Sequence, residues 1–472
     1  MNGKTQPLIN LLVLILFSCW APAISMAQVP EKTLQADEVL AIVRQYHPVA
    51  LQAALGIEDA QAELKMAKGG FDPRLGGYFA GKTFDGTKYY QQGSQELTIP
   101  TWFGVDLHGG FQQLSGNRLD PSQTKGQTSF LGISLPIAKG LMMDKRRAAL
   151  QQAKLYRNLS QTEQRATINN LLLVVMEDYW QWIASYQSYL NISSIVEINT
   201  KRLELVTASY AMGERAAIDT VEAMAQLKLY QNLQTQSWLQ FQNSGLQLSA
   251  HLWGPNAQPY DLSDEVKPPV NWDQQLDLSL FELNGDNLLS AALANHPELQ
   301  AYEYKMDMLE VNRKLKFQEL LPKADLRYNF LSKGNSLIPN EYFDNNYQYG
   351  FKFEMPLRLS YGRGAYRQAK IKIESTQLAQ IQKIRDIEIK IRAYLNDYGA
   401  LKSQIAVETE QLALIQRLVA AEQMRFSNGE SSLFLVNSRE NKALEVQQKL
   451  LTLKSKYFKT LYALQSSAGL LL

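Results

Sequence analysis

The chain has 472 residues, with 48 lysines and arginines against 46 acidic residues and a formal net charge of +2. So even a balance lacks the basic surplus expected of a nucleic-acid binder, and 45% apolar residues is too many for a disordered chain. One cysteine, Cys19, and four scattered histidines, His47, His108, His251 and His296, exclude an intrachain disulfide and argue against a zinc site.

Met1 to Pro7 carries one lysine, and Leu8 to Phe17 is an almost unbroken apolar run. That run suits a signal-peptide core and falls short of the roughly 20 residues a spanning helix needs. Ser25-Met26-Ala27 places small residues where signal peptidase reads, so residues 1–27 are expected to be removed before Gln28. The alternative is a lipoprotein box at Leu16-Phe17-Ser18-Cys19. Both imply export.

The remainder is written twice. Asp37-Glu38-Val39-Leu40 leads to His47-Pro48, and Asp286-Asn287-Leu288-Leu289 leads to His296-Pro297, at an offset of 249 residues. Pro73 and Pro322 keep that offset, each 25 residues after its His-Pro pair. Pro136 matches Pro356 at 220, so the first copy carries 29 extra residues, and Gly213 matches Gly429 at 216. A register held across helix, loop and helix marks an internal duplication. It divides the chain into a first repeat at 28–250, a linker at 251–284 and a second repeat at 285–472.

Each repeat reads in one order. A short helix ends at the His-Pro pair, because the residue before proline disfavours helical backbone; both histidines are read as punctuation rather than ligands. A second helix follows, at Val49 to Lys68 and at Glu298 to Glu319. Period-two alternation then predicts strands near 73–82, 91–100, 104–114 and 127–136 in the first repeat, and near 325–330 and 346–355 in the second. Tyr349 and Phe351 fall on the apolar face, Gln348 and Lys352 on the polar one. Very long helices follow near 143–211 and 361–427. In the latter, Ile384, Ile391, Tyr398, Ile405, Leu412 and Val419 recur every seven residues, a coiled-coil seam. About 67 residues at 1.5 Å each span roughly 100 Å, which no compact domain needs. Gly213 and Gly429 mark tight turns into returning helices near 217–249 and 432–468.

Exported strands with one aromatic and one polar face suggest a transmembrane β-barrel, and no later apolar run is long enough for a spanning helix. Four to six strands cannot close a barrel whose smallest members have about eight, so several chains must share one.

The duplicated order of short helix, His-Pro, strands, long helix, glycine turn and returning helix resembles the TolC-like outer membrane factor family over essentially the whole mature chain. Met424-Arg425-Phe426-Ser427-Asn428-Gly429-Glu430-Ser431-Ser432-Leu433 is similar to the family's turn of Arg, aromatic, two residues and Gly, followed by small and apolar residues. The resemblance implies an all-α coiled-coil barrel plus a transmembrane β-barrel, built from internally duplicated protomers of a homotrimer. It implies an outer membrane channel of a Gram-negative bacterium with a periplasmic helical extension, the exit duct of a tripartite efflux pump or type I secretion system. Its partners would be a periplasmic adaptor (membrane fusion) protein, an inner membrane transporter and outer membrane lipid, with no nucleic acid, cofactor or enzymatic activity. The alternatives are a metal-ion efflux duct of the same fold, or an exported coiled-coil scaffold or adhesin that does not cross the bilayer. The family shows two strands per repeat. The extra 29 residues read as a hairpin turning at Pro100-Thr101-Trp102-Phe103-Gly104, which either joins the barrel, making 18 strands per trimer instead of 12, or folds elsewhere.

The resemblance also places the channel's closure just after the glycine turns. Asp219, six residues after Gly213, matches a family position that helps hold the closed state. Asp219 or Glu222 would form a three-fold carboxylate ring that attracts cations; the plainer reading is a pair of solvated helix-start acids favoured by the macrodipole. Arg215, Arg425 and Arg439 are the candidate counter-charges. The second turn departs, with Leu435 and Ser438 where relatives often place aspartates and Asn437 between them, which argues against a carboxylate gate there.

Overall fold

A computed structural model describes residues 32–120, 122–262, 265–272, 285–334 and 345–471. The proposed signal segment with Cys19 and residues 273–284 of the linker lie outside the described residues. A two-residue strand β1, Lys32–Thr33, precedes helix α1, Ala36–Tyr46, and helix α2, Pro48–Gly69. His47 does more than end α1. Its Nδ1 accepts the Val49 N–H at 3.1 Å and so caps α2, whose first position is a proline with no N–H to satisfy.

Four strands then run as a meander: β2, Arg74–Phe84; β3, Thr87–Pro100; β4, Asp106–Ser115; and β5, Gly126–Pro136. β3 starts earlier than its alternation suggests, because Asp85-Gly86 closes a two-residue turn with both φ angles positive, at 50° and 68°. That geometry matches the twist of paired strands and favours Asp-Gly. Helix α3, Lys145–Ala211, is 67 residues long and returns as α4, Ala217–Ser249. Short strands β6, Trp253–Gly254, β7, Gln258–Pro259, and β8, Val266–Lys267, occupy the connection, β8 pairing in parallel with β1.

The second pass gives α5, Gly285–Asn295, and α6, Pro297–Phe317, again with a histidine between them whose Nδ1 accepts the Glu298 N–H at 3.1 Å. Strands β9, Lys323–Lys333, and β10, Tyr347–Glu354, lead to the 68-residue helix α7, Ser360–Ser427, and its return α8, Leu433–Ser467. All six long strands form one antiparallel sheet in the order β10-β9-β5-β4-β3-β2. Among the described residues no helix is long and apolar enough to cross a membrane.

The sheet has two chemically distinct faces. Tyr349 pairs with Tyr328, Tyr328 with Ile133, Ile133 with Leu107 and Leu107 with Ile99, an apolar row on one side. The adjacent row on the other side holds Gln348, Asn329, His108 and Thr98.

The largest core lies midway along the helices. Trp180 of α3 stacks on Phe458 of α8 with ring centroids 4.0 Å apart and planes 7° from parallel. Leu172, Met176, Trp182 and Ile183 of α3, Leu248 of α4, and Tyr398 and Ile405 of α7 are among its other members. The heptad seam of α7 is buried where it meets partners, at Ile387, Ile391, Tyr398, Leu401 and Ile405, because a period of 3.5 keeps these on one flank. Two long hairpins are thereby fixed side by side, with both glycine turns at the end remote from the sheet.

Candidate functional site

Gly213 and Gly429 end α3 and α7 in the left-handed region, with φ of 78° and 79°. At each, the following residue's N–H reaches back five residues, Glu214 to Ser209 at 2.9 Å and Glu430 to Arg425 at 2.8 Å, a Schellman closure. A β-carbon would strain either turn through φ alone, since no atom lies within 4 Å of where it would stand. The returning helices start differently. Ser432 caps α8 through its hydroxyl, whereas Ala216 gives α4 no side-chain cap and leaves Asp219 to complement the dipole from the first turn.

Arg215 is joined to the second turn. Its Nη2 donates to the Phe426 carbonyl at 2.9 Å, and the guanidinium lies 4.0 Å from the centroid of the Phe426 ring. Asp219 and Glu222 are both half-buried, one helical turn apart. Glu222 meets an amide, not an arginine: Asn437 Nδ2 donates to its Oε1 at 3.3 Å. Asn437 is buried, and its Oδ1 has no hydrogen-bond partner among the described residues. Arg425 lies 3.8 Å from Glu422 of its own helix and is exposed, as is Arg439; among the described residues no ion pair joins either to Asp219 or Glu222. Ser431 Oγ also donates to the buried Glu422.

The firmest polar link between the two hairpins lies one step further from the tip, and sequence reasoning missed it. Arg202 of α3 grips Glu440 of α8 with both guanidinium nitrogens, one at 2.6 Å, while Gln423 of α7 donates to Glu440 Oε1 at 2.8 Å. Gln226 and Tyr230 of α4 both donate to Asn441 Oδ1 at 2.9 Å. Val206, Ala223 and Leu433 fill the space between. Apart from the Gln423–Glu440 bond within the second hairpin, these hydrogen bonds join residues more than 200 positions apart, and no local pattern announces which helical faces meet. Offset matching offered one signal: Glu222 and Asn437 stand within one position of the repeat offset of 216.

The polar face of the sheet carries a second constellation. His108 Nε2 lies 2.9 Å from Asn329 Oδ1 across Gly132, and Asn329 Nδ2 donates to Gln348 Oε1 at 3.4 Å. Arg327 reaches from β9 to Glu96 of β3 at 3.1 Å. A β-carbon on Gly132 would stand 2.5 Å from the Tyr328 carbonyl oxygen and 2.2 Å from Asn329 Oδ1, which is why glycine sits under this bridge. A face of amides, an imidazole and paired charges suits water, whereas the Tyr and Phe face suits lipid.

Comparison with known proteins agrees with this geometry. Residues 288–470 match the sequence model of the outer membrane efflux protein family. No curated protein sequence matches the chain. Among solved structures, the outer membrane channel CmeC of Campylobacter jejuni aligns with a TM-score of 0.65 at 13% identity, over 92% of this chain and 85% of that one. VceC, an outer membrane protein of Vibrio cholerae, gives 0.63 at 15% identity, over 92% and 96%. The open-state outer membrane channel MtrE of Neisseria gonorrhoeae gives 0.62 at 12% identity, over 92% and 88%. At such identities the likeness establishes a shared fold.

Proposed function

We propose that this chain, whose residues 288–470 match the sequence model of the outer membrane efflux protein family, forms with two further copies an outer membrane channel, the exit duct of an efflux or secretion machine. One observation carries this reading: a single sheet with a lipid-suited face and a water-suited face continues directly into helices of 67 and 68 residues. At about 1.5 Å per residue such helices reach roughly 100 Å, the scale of a periplasmic conduit rather than of a membrane anchor. The sheet supplies the bilayer segment, since a closed barrel satisfies every backbone group without water. The helices supply a tube that ends at the glycine turns, where a periplasmic adaptor and an inner membrane transporter would deliver cargo.

At that end Asp219 and Glu222 of three copies converge as a cation-attracting constriction. Arg215, seated on Phe426, holds the two turns of one protomer in register; Arg425 and Arg439, both exposed, would answer a neighbouring protomer's carboxylates. Fractionated membranes test the reading. The protein should extract from the outer membrane as a trimer whose gel migration changes on heating. Recovery as a monomer from the soluble periplasm would refute it.

A further inference from the structure

The six-stranded sheet has two edges, β2 and β10, with no strand beyond either among the described residues. β2 leads away from the helices that precede it, and β10 returns to the helix that follows, so the edges run in opposite senses. With an even number of strands per chain, β2 of one copy continues antiparallel onto β10 of the next, and the pattern repeats without a mismatch.

Near the helical end of the sheet both faces run across all six strands. One cross-strand row on the outer side holds Leu75, Leu97, Leu131, Phe330 and Tyr347, interrupted only by Gly109. The neighbouring row on the inner side runs Arg74, Thr98, His108, Asn329 and Gln348, with Gly132 beneath the His108–Asn329 bridge. A hairpin folded away from the barrel would have no reason to continue these rows. Arg327 of β9 also pairs with Glu96 of β3 across two intervening strands, tying the outlying pair to the wall. The turn between β3 and β4 lies at the helical end of the sheet, where Gly104 abuts Arg147 of α3. There Trp102 and Phe103 are 76% and 52% exposed, as aromatic side chains at a membrane interface are.

In hydrocarbon the open N–H and C=O groups of an edge strand find no water, so each edge must be covered. We propose that the cover is a second copy of this chain: β2 of each protomer pairs with β10 of its neighbour, and three copies close a barrel of eighteen strands. The proposal rests on the trimeric outer membrane reading and adds that all six strands per chain are wall. Barrel diameter grows roughly linearly with strand number, so this wall is about half as wide again as one of twelve strands. Barrels of 16–18 strands leave an aqueous channel, here lined by three copies of the Arg327–Glu96 and His108–Asn329 pairs.

Cysteine pairs in the full-length protein, assembled in outer membranes, test the seam. Phe79→Cys on β2 is combined in turn with Tyr347→Cys, Tyr349→Cys and Phe351→Cys on β10, three outward positions that sample the register. Mild oxidation should link at least one pair into covalent dimers and trimers, and the corresponding single variants should give none. An electron cryomicroscopy map of the unsubstituted trimer should show eighteen strands. A trimer that still extracts from the outer membrane but shows twelve strands and no cross-link at any pair overturns the proposal and leaves the duct reading standing. A protein that forms no outer membrane trimer overturns both.

Discussion

Arg202 and Glu440 offer a measurable handle on the joint between the two hairpins. Their side chains are only 13% and 12% exposed, and the pairing is bidentate, so removing one charge strands the other away from water. Breaking a buried pair costs about 3–5 kcal/mol; with roughly an eighth of each side chain still wet, about 3 kcal/mol is expected here. Glu440→Gln and Arg202→Met should therefore each raise the local opening equilibrium of the tip by about 100-fold. The double variant Arg202→Met with Glu440→Leu removes both charges and fills the space with apolar atoms, so it should cost less than either single change. Amide hydrogen exchange across residues 420–445, on trimers in detergent, reads the opening directly. Unchanged protection in Glu440→Gln, or a double variant that costs the sum of the singles, would refute the account of this contact.

Other consequences are open to test. Asp219→Ala with Glu222→Ala should leave the trimer assembled while raising single-channel conductance and lowering cation selectivity; wild-type values for both would remove these residues from the gate. Gly132→Ala places a β-carbon 2.5 Å from a backbone oxygen and should cost about 1–3 kcal/mol, lowering the trimer yield, whereas Gly350→Ala, with nothing within 4 Å, should be tolerated; equal yields would contradict the close approach. Burial, then the charge of His251, holds His47 below its ordinary value of 6.5, and burial likewise lowers His296. Both are neutral in either state well above pH 6.5; as pH falls below it, the unfolded chain takes up protons first, so stability declines until the folded-state values are passed. Thermal melts between pH 7 and 5 should show that decline, and it should be smaller in His47→Gln; parallel curves would contradict it.

Local patterns exposed much of the architecture. Gly213 and Gly429 could be placed because only a residue free of a β-carbon enters the left-handed turn cheaply, and both occupy it. The seam of α7 was visible because coiled-coil burial repeats every seven residues, and Ile391 and Ile405 are buried accordingly. Period two separated Tyr349 from Gln348 because alternate residues of a strand face opposite ways. What remained hidden was contact between elements. That Arg202 would find Glu440, or that Glu222 would meet Asn437 instead of an arginine, depends on how two hairpins are rotated about their axes, which neither hairpin's own sequence records. The histidines before Pro48 and Pro297 showed where a helix stops, but not that the same imidazole starts the next one.

Conduction through the purified trimer in a planar lipid bilayer tests the central claim most directly. A channel whose three-fold tip is ringed by Asp219 and Glu222 should insert and give discrete current steps that favour cations. Trimers that incorporate into the bilayer yet pass no resolvable current, in the wild type and in the Asp219→Ala with Glu222→Ala variant alike, would contradict the claim that this chain forms a duct.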